Sequence, residues 1–193
     1  MTWRVSLTPS RAARASCGRA FTLALSLALS LAFAAPADAQ PNPVTTDQAG
    51  VRRTLREVLG GEVTVLHFMY PTCQNFCPLS GALLAETQRS MAARRAVRYQ
   101  ILSVAIVPSE ATPARLTAWL RKHGGRPGWA AVQVPQRDLG ALMRYYGETE
   151  LDVQLHSSQM LVLDRRGRIA RRFDEIPTVA QLSQALVRAS ALR

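Results

Sequence analysis

The most informative stretch of the chain reads Met69-Tyr70-Pro71-Thr72-Cys73-Gln74-Asn75-Phe76-Cys77-Pro78. It follows an apolar run that predicts a strand over residues 63–70, and it leads into a predicted helix over residues 78–95 with Pro78 in its first turn. Cys73 and Cys77 therefore lie where a strand ends and a helix begins. The positive end of the helix dipole favours the thiolate there, and the thiolate is the form that attacks disulfides and binds metals.

The order of the remaining elements gives the fold class. Strands and helices are predicted in the order strand, helix, strand, helix, strand, strand and helix, over residues 99–107, 112–123, 129–134, 138–146, 160–163, 169–173 and 178–191. Thr112-Pro113 supplies an N-cap and a proline at the first helical position, and Asp164-Arg165-Arg166-Gly167 is a hairpin turn signal. The pattern predicts an α/β fold, a central mixed β-sheet flanked by helices, with a C-terminal β-hairpin and helix.

Residues 1–39 predict an export signal. A basic head with Arg4, Arg11, Arg14 and Arg19 precedes a charge-free apolar run, and small residues at 37–39 precede Gln40. The alternative is an uncleaved membrane anchor, because residues 20–37 approach the roughly 20 apolar residues that span a bilayer. Both predict a periplasmic domain, in the second case anchored to the inner membrane.

The rest of the chain predicts one domain. Residues 40–50, rich in Pro, Thr and Gln, predict a linker, and residues 51–193 the folded domain. Residues 1–39 hold four of the 24 basic and one of the 13 acidic residues, so the remaining 154 residues carry a net charge of +8. The arginines are scattered without interleaved aromatic residues, which argues against nucleic-acid binding. An arginine cluster over residues 165–172 predicts a solvated face or, alternatively, steering toward an acidic partner or an anionic membrane.

The cysteine count restricts the chemistry. Cys17 lies in the predicted signal, so Cys73 and Cys77 are the two cysteines of the domain, too few for a disulfide-rich scaffold. Residues four apart at a helix start share a face, with Cα atoms about 6 Å apart, which permits a disulfide or two bonds to one metal. A purely structural disulfide is the less favoured alternative, because so short a loop removes little chain entropy.

The element order, with cysteines at the first strand-to-helix junction, resembles the thioredoxin superfamily. The three residues between Cys73 and Cys77, followed by Pro78, are similar to the CxxxCP motif of the Sco/SenC family of copper-handling proteins. His156 stands where that family places a histidine ligand, ahead of a strand-turn-strand with Asp and Gly. The resemblance covers residues 45–190 and implies a thioredoxin-like fold with Cys73, Cys77 and His156 as metal ligands.

Two thiolates and one imidazole make a soft site suited to Cu(I), and to Cu(II) if a further ligand joins. Zinc usually takes a fourth ligand or a water, and iron–sulfur clusters need more cysteines. His67 lies within a predicted apolar strand, so we expect it to be a hydrogen-bonded core residue. His123 is predicted to lie at the C-terminus of a helix. Met69 and Met160 are predicted to fill the core, with a soft axial contact to the metal as the alternative.

The resemblance implies a metallochaperone, not an enzyme, that delivers copper to the CuA centre of cytochrome c oxidase during its assembly. Its partner would be the CuA-bearing subunit or another copper protein, with possible membrane association through the N-terminal segment. The alternative is a thiol-disulfide oxidoreductase that reduces partner cysteines through Cys73 and Cys77, for which His156 would be dispensable. A peroxiredoxin-like peroxidase is a third interpretation, which the close second cysteine disfavours.

Overall fold

The domain is built on a mixed sheet that has seven strands within the described residues. The computed structural model describes residues 40–72, 77–94, 96–148 and 159–192, with Cys77 described through its backbone. The strands are β1 (Val44–Asp47), β2 (Arg52–Thr54), β3 (Val63–Met69), β4 (Tyr99–Ala105), β5 (Trp129–Gln133), β6 (Met160–Leu163) and β7 (Ile169–Phe173). They lie in the order β2-β1-β5-β4-β3-β6-β7. Strands β3, β4 and β5 are parallel, and the outer pairs are antiparallel.

Helices cover both faces of this sheet. They are α1 (Leu55–Leu59), α2 (Cys77–Met91), α3 (Pro113–Lys122), α4 (Gln136–Tyr145) and α5 (Val179–Ser190), with a 3₁₀ turn at Pro108–Glu110. Side chains of α2, α3 and α5 form one apolar core with the sheet, and those of α1 and α4 form a second on the opposite face. Strand β3 is buried along its whole length because its side chains contribute to both cores. The predicted α/β architecture, with its C-terminal hairpin and helix, is confirmed.

The predicted helix and turn signals act as expected. The Thr112 hydroxyl accepts a hydrogen bond from the Arg115 amide at 3.3 Å, and Pro113 is the first residue of α3. In the β6–β7 turn, Asp164 Oδ1 accepts from the amides of Arg166 and Arg168 at 2.8 and 3.0 Å. Burial opposes ionisation of Asp164, but these bonds outweigh it and hold the pKa of that carboxyl below its usual value.

The linker prediction for residues 40–50 is wrong over Val44–Asp47. These residues form β1, which pairs with β2 on one side and β5 on the other. Asp47 is buried, and its Oδ1 accepts from the amides of Ala49 and Val51 at 2.9 Å each, while Arg53 lies 3.1 Å from its Oδ2. Three of the four residues of this strand are polar, so it has no apolar pattern that would predict a strand. Its buried carboxylate is tolerated because two turn amides and an arginine satisfy it.

The folded domain also begins earlier than the predicted residue 51. Gln40 donates a hydrogen bond from Nε2 to the Tyr146 hydroxyl at 2.8 Å, and that hydroxyl lies 3.3 Å from the Gly167 carbonyl oxygen. Tyr146 is completely buried, so residue 40 contacts the core directly. The predicted signal, residues 1–39, lies outside the described residues. Within the part of the chain that the structure describes, no helix has both the length and the apolar character to cross a membrane.

Candidate metal centre

Along the chain, Cys73 and Cys77 follow β3 and His156 precedes β6. These two strands are neighbours in the sheet. Cys77 is the first residue of α2, which confirms that this cysteine lies at a helix N-terminus. Cys73 and His156 lie outside the described residues, so their use as ligands stays a prediction. The structure does describe the segment up to Thr72 and the segment that begins at Gln159, and these are the two approaches to the site.

Both approaches lie at one edge of the sheet. Strands β3 and β6 are antiparallel, and His67 pairs with Met160 at the start of β6. The carboxyl end of β3, which leads to the cysteines, therefore lies beside the amino end of β6, which follows His156 by four residues. No local sequence signal gives this pairing, since two further strands and three helices separate β3 from β6 along the chain.

The exit from β3 is held by a carboxylate that sequence reasoning missed. Glu110, in the 3₁₀ turn after β4, accepts from the Tyr70 hydroxyl at 3.1 Å through Oε1 and from the Thr72 hydroxyl at 3.2 Å through Oε2. The Arg115 guanidinium lies 3.4 Å from the same Oε2. The sequence offers one hint of this group, an acid shortly before the N-cap Thr112, but nothing local connects it to Thr72.

The methionines nearest the sheet edge belong to the core. Met69 and Met160 are both fully buried among the side chains of the α2, α3 and α5 face. The prediction that they fill the core is confirmed.

His67 is a buried core residue, as predicted. Its side chain is 2% exposed, and Nδ1 lies 3.4 Å from the Ser103 hydroxyl oxygen. That oxygen also accepts from Trp129 Nε1 at 3.0 Å, so the Ser103 hydroxyl of β4 links the side chains of His67 and Trp129 inside the core.

His123 is the C-cap residue of α3, as predicted, and contacts α2. Its ring centroid lies 4.7 Å from that of Trp119, and the ring rests against Gly81, one helical turn beyond Cys77. Burial, with a smaller effect of the Lys122 charge, lowers the pKa of His123 below its usual value. Among the described side chains, no three His, Cys, Asp or Glu residues come together as a metal-binding cluster.

Comparison with known proteins identifies the family. The model of the SCO1/SenC family matches residues 35–191. The chain belongs to the SCO1/SenC family. No curated protein matches the sequence.

Solved structures of Sco proteins share this fold. BsSco, described as a member of the Sco family of cytochrome c oxidase assembly proteins with a disulfide switch, is 18% identical with a TM-score of 0.69, over 82% of this chain and 97% of BsSco. Copper-bound ScoI of Arabidopsis thaliana is 18% identical with a TM-score of 0.64, over 78% of this chain and 98% of its own. Copper-bound ScoI of Bradyrhizobium japonicum is 23% identical with a TM-score of 0.62, over 78% and 99%. These likenesses establish the thioredoxin-like Sco fold for this SCO1/SenC protein.

Proposed function

We propose that this SCO1/SenC protein is a copper-binding metallochaperone that delivers copper to the CuA centre of cytochrome c oxidase during assembly. Cys73, Cys77 and His156 would be its ligands. The proposal draws on the family membership, on the copper-bound Sco structures with the same fold, and on BsSco, which belongs to a family of cytochrome c oxidase assembly proteins.

The observation that carries the proposal is the pairing of β3 with β6. The cysteine segment leaves the sheet at the end where the histidine segment enters it, with His67 and Met160 in register. Ligands from two distant parts of the chain can meet one metal ion only if the fold brings their segments to one place. The antiparallel register does so for these two approaches.

The chemistry follows from the ligand types. Two thiolates and an imidazole are soft donors that suit Cu(I), and Cu(II) with an added ligand. Copper is cargo here, so the site must release it. Transfer would proceed by ligand exchange, in which partner thiolates replace Cys73 and Cys77 one at a time. Both cysteines must be reduced for binding, because a disulfide between them offers no thiolate.

The location proposed for this chemistry is the periplasm, with residues 1–39 as a cleaved signal or an anchor in the inner membrane. A SCO1/SenC family lipoprotein of Bacillus anthracis, with a TM-score of 0.68 and 20% identity, supports a place at the outer side of a membrane. The partner proposed is the CuA-bearing subunit or another copper protein.

The test is a Cu(I) titration of the reduced protein against a competing chelator. Tight one-to-one binding, weakened by His156→Ala, is expected. His123→Ala is the matched control, because His123 is half-buried at the end of α3 and is not among the proposed ligands. If the wild-type protein binds no Cu(I), or if both histidine variants bind like wild type, the three-ligand proposal is wrong.

A second candidate function is thiol-disulfide exchange with partner cysteines. The observation that favours it is the disulfide switch described for BsSco, a protein of the same family and fold. Under this alternative, Cys73 attacks a partner disulfide to form a mixed disulfide, and Cys77 then displaces the reduced partner thiol and closes an internal disulfide. His156→Ala would leave the exchange rate unchanged while it weakens copper binding, which separates the two functions.

A further inference from the structure

The Glu110 carboxylate connects two parts of the molecule that meet beside the candidate metal centre. One part is the turn after β4, and the other is the three-residue exit from β3, whose last residue, Thr72, directly precedes Cys73. We propose that Glu110 is a positioning residue for copper binding, which fixes the entry to the Cys73 segment through Tyr70 and Thr72. The proposal rests on the copper function above and adds to it a residue outside the three ligands.

The turn that carries Glu110 is itself firmly held. The Glu110 amide donates to the Val107 carbonyl oxygen at 3.1 Å, and Gln133 Nε2 donates to the Pro108 carbonyl oxygen at 3.3 Å. Pro108 is buried, and α3 begins three residues after Glu110. The carboxylate therefore projects from a part of the fold that the sheet and α3 hold in place.

The exit from β3 has fewer contacts of this kind. The Met69 carbonyl oxygen accepts from the Ile106 amide at 2.9 Å, which extends the parallel β3–β4 pairing by one bond. Beyond it, Tyr70 and Thr72 reach the neighbouring turn through their hydroxyls, and Thr72 is exposed to solvent. Tyr70 also packs against both apolar cores, so the bond from the Thr72 hydroxyl to Glu110 is the described side-chain hydrogen bond nearest to Cys73.

A carboxylate suits this task because it can accept from two hydroxyls at once. Its two oxygens accept from both hydroxyls; because a hydroxyl can also accept from an NH₂ group, a glutamine in its place can keep both contacts, whereas an alanine keeps neither. The two O···O distances, 3.1 and 3.2 Å, are slightly longer than usual O–H···O bonds. Arg115 lies beside Oε2 and reduces the cost of placing the charge there.

Positioning of this kind affects affinity through preorganisation. A ligand that is already near its bound position loses less conformational entropy when the metal binds. Groups that hold metal ligands in place typically contribute about 10- to 100-fold in affinity, which is lost when they are removed. Glu110 acts through Thr72, the residue before Cys73, rather than on a ligand side chain itself. We therefore expect an effect of about tenfold, at the lower end of that range.

The experiment compares the Cu(I) affinity of the wild-type protein with that of five variants. Glu110→Ala and Thr72→Val should each weaken binding about tenfold, and the double variant should be no weaker than Glu110→Ala alone, because the Thr72 hydroxyl acts through its bond to Glu110. Thr72→Ser, which keeps the hydroxyl, should restore affinity to within about twofold of wild type. Glu86→Ala is the matched control, since Glu86 is an exposed acid on α2 that pairs with Arg89. It should bind copper like wild type.

Amide hydrogen exchange of the metal-free protein gives a second readout, independent of copper. Peptides that contain residues 70–72 should exchange faster in Glu110→Ala and Thr72→Val, and like wild type in Thr72→Ser. If the wild-type protein binds no Cu(I), the copper function fails, and this exchange result alone decides whether Glu110 positions the segment. Unchanged exchange overturns the proposal. So does wild-type copper affinity in Glu110→Ala, or effects of Glu110→Ala and Thr72→Val that multiply in the double variant.

Discussion

Replacement of Gly81 by alanine should destabilise the protein through a clash with His123. An ideal Cβ at position 81 would lie 2.5 Å from Cγ and 2.7 Å from Cε1 of the His123 ring, and closer still to Nδ1. Ordinary contacts of this kind are 3.4–4 Å, so the ring or the helix must move by about an ångström. The ring is also packed on Trp119, which is 3% exposed, and this restricts its retreat.

The magnitude combines two opposing terms. Alanine in place of glycine inside a helix gains about 0.5–1 kcal/mol, and overpacking of a well-packed site costs about 1–3 kcal/mol. Gly81→Ala should therefore lower the free energy of unfolding by about 1 kcal/mol, the difference between the central values. In a His123→Ala background the clash is absent, so the same substitution should instead stabilise by about 0.5–1 kcal/mol.

The assay is urea unfolding of the four proteins of this double-mutant cycle. A coupling energy of about 1–3 kcal/mol between positions 81 and 123 is expected. Gly140→Ala is the matched control, because Gly140 lies inside α4 and its added Cβ would approach only the flexible end of Arg144, at 3.3 Å. Gly140→Ala should stabilise the protein. If Gly81→Ala stabilises the protein as much as Gly140→Ala does, or if the coupling energy is below about 0.5 kcal/mol, the added Cβ does not clash with the His123 ring.

Two further predictions concern residues that hold the domain together. Tyr146→Phe should lower the free energy of unfolding, measured in urea, by about 1–3 kcal/mol, because it removes the hydroxyl that joins Gln40 to the Gly167 carbonyl. Adding Gln40→Ala to Tyr146→Phe should lower it little further, because the bond from Gln40 to that hydroxyl is already lost. Asp164→Asn should flatten the acid side of the stability profile. Since folding lowers the pKa of Asp164, its contribution is present above the unfolded pKa of about 4 and is lost as the pH falls through the folded pKa. Unfolding measured between about pH 2 and 6 should therefore show a smaller pH-dependent loss in Asp164→Asn than in wild type, and equal slopes would contradict the prediction.

The N-terminal part of the sheet shows where sequence patterns give no information. Strand β1 reads Val44-Thr45-Thr46-Asp47, and its composition predicted a linker. The strand forms because β5 offers a free edge and because Arg53 and two turn amides satisfy the buried Asp47. Of these partners only Ala49 lies within residues 40–50, so the pattern of that range alone could not predict the strand.

The candidate site divides in the same way. The position of Cys77 at a helix start follows from the local pattern of a strand, a short loop and a proline in the first helical turn, and the structure confirms it. The contact of Glu110 with Thr72 does not follow from any local pattern, since it depends on how the turn after β4 lies beside the exit from β3. Hydrogen bonds between side chains 38 residues apart leave no periodic signal.

The features that short-range forces control can be predicted from the order of the residues. Apolar periodicity set the helices and the inner strands, proline and threonine set the start of α3, and the aspartate and glycine of the β6–β7 turn set the hairpin. Three features depend instead on the packing of the whole domain: which strands are neighbours, the addition of β1 to the sheet, and the common edge of the approaches to the cysteines and to His156. The hydrogen bonds between strands join backbone groups, which are the same in every residue except proline, so the side chains that pack around the sheet select which strands pair.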